Sequence, residues 1–96
     1  MHFIVSCTDK PDHMAVRLEN RPAHVEFLKA NASSIPVAGP YISIDGTAML
    51  GSMLIIEAES VEAVEAILAQ DPYAKAGLFE AVSIKPWKWV IGAPQA

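Results

Sequence analysis

The chain holds a single cysteine, Cys7, so it cannot form an internal disulfide. A lone thiol fits a reducing compartment, and a cytoplasmic location is the expectation. Cys7 lies in a strand-like run, which reads as a buried thiol more readily than as a nucleophile. Basic residues are also few, seven Lys and Arg against eleven Asp and Glu, for a formal net charge of −4. They are scattered, so the clustered basic surface that nucleic acid needs is missing. No run of about 18 apolar residues is present to span a membrane. The N-terminus lacks the basic, apolar and small-residue succession of a signal peptide. Phosphate-loop and dinucleotide glycine patterns are absent. His2, His13 and His24 are not at metal-ligand spacing, and Cys7 has no matching partner motif. The expectation is a protein with no nucleic-acid partner, no membrane association, no metal and no nucleotide cofactor.

What is present is apolar. Hydrophobic residues make up 52% of 96 positions, and the mean hydropathy is +0.28. A chain of this length forms one domain, here 1–96, and buries only about 60–65% of its unfolded surface. That surplus of apolar residues calls for a second copy to cover one face, so a homodimer is expected.

His2–Cys7 alternates as an opening strand, with Phe3, Val5 and Cys7 on one face. Thr8 to Asp12 breaks it. Met14 to Leu18 can form a short helix with Asp12 as a cap. Pro22 should end or kink that helix, which makes 12–20 a weakly helical candidate flap. Pro22 also fits the first turn of a new helix, in which Val25, Leu28 and Ala32 recur at helical spacing as a core-facing stripe. His24 falls at the margin of that stripe.

Ile35 to Ile44 is strand-like, but Pro36, Gly39 and Pro40 confine it to an edge, bulge or bend. Asp45-Gly46 is a turn signal. Gly51 to Ala58 is apolar at both parities, as in a strand buried on both sides. Ser60 then caps a helix with Glu62 in its first turn and Val61, Val64, Ile67 and Leu68 inward. This helix should stop at Asp71-Pro72. Ala74 to Leu78 reads as one helical turn ending near Gly77. Phe79 to Lys85 is the last long strand, interrupted by Pro86 before Trp87 to Ile91, and the tail 92–96 carries no motif. The order is βαββαβ, a ferredoxin-like α+β fold. Two helices cover one face of its antiparallel sheet, and a partner's sheet against the other would give a dimeric α+β barrel.

Two residues stand out as catalytic candidates. His24 is a titratable ring beside an apolar face, equally readable as a core histidine. Asp71 closes a helix where the macrodipole disfavours an anion by roughly 0.3–1 kcal/mol, so it faces water or takes a partner. Paired with His24, it would fix the ring tautomer and make the other nitrogen a better base. Ser52 reads as a buried hydroxyl or a substrate donor, and Met49 to Met53 lacks the Gly-x-Ser-x-Gly elbow of a nucleophilic serine. Tyr41 and Tyr73 each follow a proline and can bring a phenol to a pocket. Arg17 and Arg21 can attract an acidic ligand or be surface charge. Trp87 and Trp89 share a parity and read as packing or dimer contacts.

Arg21-Pro22-Ala23-His24, Ala38-Gly39-Pro40, Gly51-Ser52, Asp71-Pro72-Tyr73 with Ala76-Gly77, and Val82 to Pro86 together resemble the YciI-like, or YCII-related, family. The resemblance runs through essentially the whole chain in order. It implies a dimeric ferredoxin-like barrel, related to muconolactone isomerase and to cofactor-free monooxygenases. It also implies a site built on a histidine and an aspartate, which map onto His24 and Asp71. One family relative is a dehydrochlorinase of a chlorinated hydroxyquinol, and Ser52 falls where a site serine fits. The segment after Pro40 is shorter than in members with a long loop, which implies a different pocket mouth.

Two functions compete. One is a cofactor-independent lyase, isomerase or dehydrochlorinase-like enzyme using His24 and Asp71 for proton transfer on a small aromatic or acidic molecule, held by Ser52, Tyr41, Tyr73 and Arg21. The alternative is a non-catalytic dimeric module that binds a small molecule. A purely structural partner domain would leave His24 and Asp71 apart or solvated.

Overall fold

The computed structural model describes residues 1–93, so positions 94–96 of the tail lie outside the described residues. Seven elements follow one another: β1 (His2–Asp9), α1 (Met14–Ala30), β2 (Val37–Ile42), β3 (Met49–Glu57), α2 (Val61–Leu68), α3 (Pro72–Lys75) and β4 (Phe79–Trp87). The strands form one antiparallel sheet in the order β2-β3-β1-β4. This is the expected ferredoxin-like α+β arrangement with a one-turn helix added before β4.

Strand alternation sorts the sheet into two faces. Phe3, Val5 and Cys7 of β1 pair with Ile56, Leu54 and Ser52 of β3. Together with Phe27 of α1 and Val64 of α2, the apolar members of this set build the core. The opposite face carries Ile4, Ser6, Met53 and Ile55, and no helix among the described residues lies over it. β2 is an edge strand, as its Pro40 and Gly39 require. Ser60 caps α2 as expected, its hydroxyl accepting from the Ala63 N–H at 3.1 Å. Gly77, at φ +72°, ends α3 in the left-handed conformation. The Leu78 N–H returns to the Tyr73 carbonyl at 3.1 Å, closing a Schellman-type stop.

The structure corrects several expectations, among them the inward place given to Val61, which is exposed at the start of α2. Residues 14–20 are not a flap, because α1 runs unbroken from Met14 to Ala30 with Pro22 inside it. Pro22 and Leu18, the residue whose carbonyl loses its helical donor, are both exposed, so water can replace the missing rung. Asp12 does not cap the helix; His13 occupies that position without a side-chain cap bond. The inward face of α1 is Arg17, His24 and Phe27, with Val25 and Leu28 half-buried and Ala32 beyond the helix and exposed. β4 passes through Pro86 to Trp87, which an edge strand tolerates.

Candidate active site

Three elements bring His24 and Asp71 together. α1 places His24 two turns beyond Arg17 on its inward face. α2 ends at Leu68, and Asp71 follows as the N-cap of α3, with Pro72 in its first turn. The Asp71 carboxylate is therefore a cap for the helix it starts, where an anion is favoured, rather than the terminus of the one before. Its Oδ1 accepts from the Tyr73 N–H at 3.0 Å and from His24 Nδ1 at 2.8 Å. A carboxylate only accepts, so Nδ1 carries the hydrogen. Nε2 is left without a hydrogen-bond partner among the described residues, in a side chain that lines a cavity. Asp71 is fully buried, and its Oδ2 has no partner among the described residues.

Tyr73 sits against the pair. Its ring stacks on His24 with centroids 3.8 Å apart and planes 14° from parallel. The Arg17 guanidinium lies 4.7 Å from the centre of the same ring. Burial raises the Tyr73 phenol, against the charges of Arg17 and Arg21 that lower it, so the net shift is upward. The hydroxyl stays protonated and able to donate at neutral pH.

Arg17 is 2% exposed. Its Nε donates to Asp9 Oδ2 at 2.7 Å, and its Nη2 donates to Asp9 Oδ1 at 3.0 Å and to Ser52 Oγ at 2.9 Å. Burial works against that charge, but hydrogen bonding and attraction from Asp9 outweigh it and raise the guanidinium further. Asp9 lies where β1 shifts register against β4, between Thr8 and Asp9. In the sequence Asp9 carries no evident role, and Arg17 stands only as a charge able to attract an acidic ligand or as surface charge, not as a buried member of the site. The available signal was spacing: on one unbroken helix, residues 17, 21 and 24 share a face.

These side chains surround a cavity of about 140 Å³. Arg17, Arg21, His24, Ser52 and Tyr73 supply its polar groups, and Val25, Leu28, Pro40, Met49 and Leu54 are among its apolar ones. Tyr41 does not join them. It lies on the other face of the sheet, paired across from Gly51, and its hydroxyl meets Ser6 Oγ at 2.6 Å. Among the described residues, no group of three or more His, Cys, Asp or Glu side chains is placed to hold a metal ion. No helix there is long and apolar enough to cross a membrane.

The model of the YCII-related domain matches residues 1–88. The chain belongs to the YCII-related family. Protein YciI of Escherichia coli O6:H1 is 37% identical over 97 aligned positions, covering 94% of this chain and 99% of that protein. A protein of Emericella nidulans, derivative of benzaldehyde biosynthesis cluster protein C, is 30% identical over 83 positions, 78% of this chain and 85% of that one. Among solved structures, 5-chloro-2-hydroxyhydroquinone dehydrochlorinase from Burkholderia phenoliruptrix superposes with a TM-score of 0.84. It is 38% identical to this family member, with 92% of this chain and 94% of that one covered, and it was solved with 2,5-dihydroxybenzoquinone bound. A protein from Agrobacterium tumefaciens, 16% identical with a TM-score of 0.55 over 99% of this chain and 98% of its own, shares the fold.

Proposed function

We propose that this family member is a cofactor-independent lyase or isomerase, of the dehydrochlorinase kind, that moves a proton on a small single-ring molecule. The observation that carries the reading is the buried His24–Asp71 pair at 2.8 Å with Nε2 free beside a cavity. Core packing does not need such a pair, and an unpaired buried acceptor such as Asp71 Oδ2 costs about 1–3 kcal/mol. A cavity near 140 Å³ is close to the ~150 Å³ that holds one benzene ring in an engineered protein. The 38% identical dehydrochlorinase, with its quinonoid ligand, supports a substrate of that size and chemistry.

His24 Nε2 takes a proton from the substrate, and the electron pair left behind moves into the ring system. In a lyase that pair expels an anionic leaving group, which departs with the equivalent of the removed proton. In an isomerase the same nitrogen returns the proton to a different atom. Asp71 holds the Nδ1 hydrogen and faces the imidazolium while it is charged. Ser52 and Tyr73 hold substrate oxygens. The active form is a homodimer in a reducing cytoplasm, with a second copy over the helix-free sheet face.

The test is chloride release from 5-chloro-2-hydroxyhydroquinone, followed with a chloride electrode. Wild type should release chloride, and His24→Gln should lose about 10²–10⁴-fold in rate. Asp71→Asn keeps a capping oxygen for α3 and should lose activity with little loss of fold. The second reading, a binding module, draws on the same polar grips around the cavity. It predicts that the probe is recovered intact from its complex, and that His24→Gln changes affinity alone.

A further inference from the structure

The end of the cavity formed by Arg17 and Ser52 is richer in hydrogen-bond donors than in acceptors. A guanidinium has five N–H donors. Nε spends its one on Asp9, and Nη2 spends its two on Asp9 and Ser52. Nη1 makes no hydrogen bond among the described residues, although the Tyr73 hydroxyl lies near enough to the guanidinium to compete for one of its hydrogens. Ser52 Oγ already accepts from Arg17, so its own hydroxyl hydrogen is free to donate. Arg17 is 2% and Ser52 4% exposed, yet both line the cavity. Asp9 and Ser52 fix the guanidinium from two neighbouring strands, so its remaining donors are aimed before any ligand arrives. One helical turn on, Arg21 also lines the cavity, and it makes no salt bridge among the described residues.

We infer that Arg17 Nη1 and Ser52 Oγ form an oxyanion subsite, with Arg21 as the cation at its mouth, so that the pocket selects ring compounds carrying an ionised oxygen: phenolates and enolates. The inference rests on the cavity being the substrate site proposed above, and it adds the charge of the substrate to that reading. Arg17 and His24 both rest on the Tyr73 ring. Both also line the cavity, so a ligand bound there with its oxyanion on the guanidinium can present an acidic hydrogen to Nε2. When that hydrogen leaves, the electron pair flows toward the bound oxygen, and the donors already in place stabilise the charge it gains.

The probe is para-nitrophenol, whose absorbance separates phenol from phenolate. Titrated across pH in the presence of excess wild-type protein, its ionisation midpoint should fall by about one unit, a ten-fold preference for the phenolate. Ser52→Ala and Arg21→Gln should each recover part of the fall, several-fold in affinity for the phenolate, while leaving the helical circular dichroism unchanged. Arg17→Lys should abolish it, and Ser52→Ala decides the matter if that variant fails to fold. His24→Gln should keep the shift, because the proton goes to solvent. An unshifted or raised midpoint in wild type overturns the subsite. So does an unchanged fall in both Ser52→Ala and Arg21→Gln, or loss of the fall in His24→Gln alone. Phenolate selection without chloride release would retain the subsite and end the dehydrochlorinase reading, so the two failures are distinct.

Discussion

At the scale of single residues, the chain places its one thiol under the site without making it reactive. Burial, and then the Asp71 and Asp9 carboxylates, push Cys7 from 9.0 up to about 12, while the Arg17 charge opposes them. In the unfolded chain the thiol ionises near 9.0, so above that pH the unfolded state binds fewer protons than the folded one. The contribution is intact below this value and is lost as pH rises toward about 12. Urea midpoints measured through this window should therefore decline, and Cys7→Ala should decline less steeply from its own starting value. At neutral pH a disulfide reagent should label Cys7 only as fast as the chain unfolds. Arg17 shows the same principle with opposite sign: a buried charge survives because Asp9 meets it in a two-pronged contact.

At the scale of elements, Gly51 leaves room for β1 to lie against β3. A Cβ there would meet the Cys7 carbonyl oxygen, a backbone atom that cannot swing aside. Gly51→Ala should cost about 1–3 kcal/mol in urea unfolding, as overpacking does. Because Ser52 is the next residue, the variant should also weaken ligand binding. The strands, α2 and its Ser60 cap, and the stop at Gly77 were legible because each carries a local signal: alternation, a capping hydroxyl, or a glycine where φ turns positive. α1 was legible as two pieces, a short helix at Met14 to Leu18 and a second from Pro22, and not as one continuous element. Its inward face holds Arg17 and His24 among the apolar residues, so the hydrophobic period is diluted, and Pro22 looks like a boundary when the wet side of a helix can absorb it. Asp71 and His24 stood out as candidates, but their meeting is a long-range contact across 47 positions, which no local pattern encodes. Asp9 was illegible for the same reason: it reads as the residue that ends a strand, and only the folded register turns its carboxylate to Arg17. Tyr41 follows a proline just as Tyr73 does, and strand parity alone sends it to the other face.

At the scale of the whole molecule, the sheet has one face under helices and one without. Ile4 and Met53 on the uncovered face are half-buried, while Tyr41 and Trp87 are 43% and 39% exposed. Pairing through this face predicts a solution mass of twice 10.3 kDa by light scattering. Met53→Asp should shift that mass toward one chain while leaving the His24–Asp71 contact on the far side of the sheet; a wild-type monomer at high concentration would refute the pairing. The cavity itself is built from unequal walls. Arg17 rivets one of them to the two central strands, whereas Ala38, Gly39 and Pro40 belong to β2, which is hydrogen-bonded along one side only. Rewriting that border strand can therefore reshape the mouth of the cavity without disturbing the contact between His24 and Asp71, which hangs from the helices on the other wall.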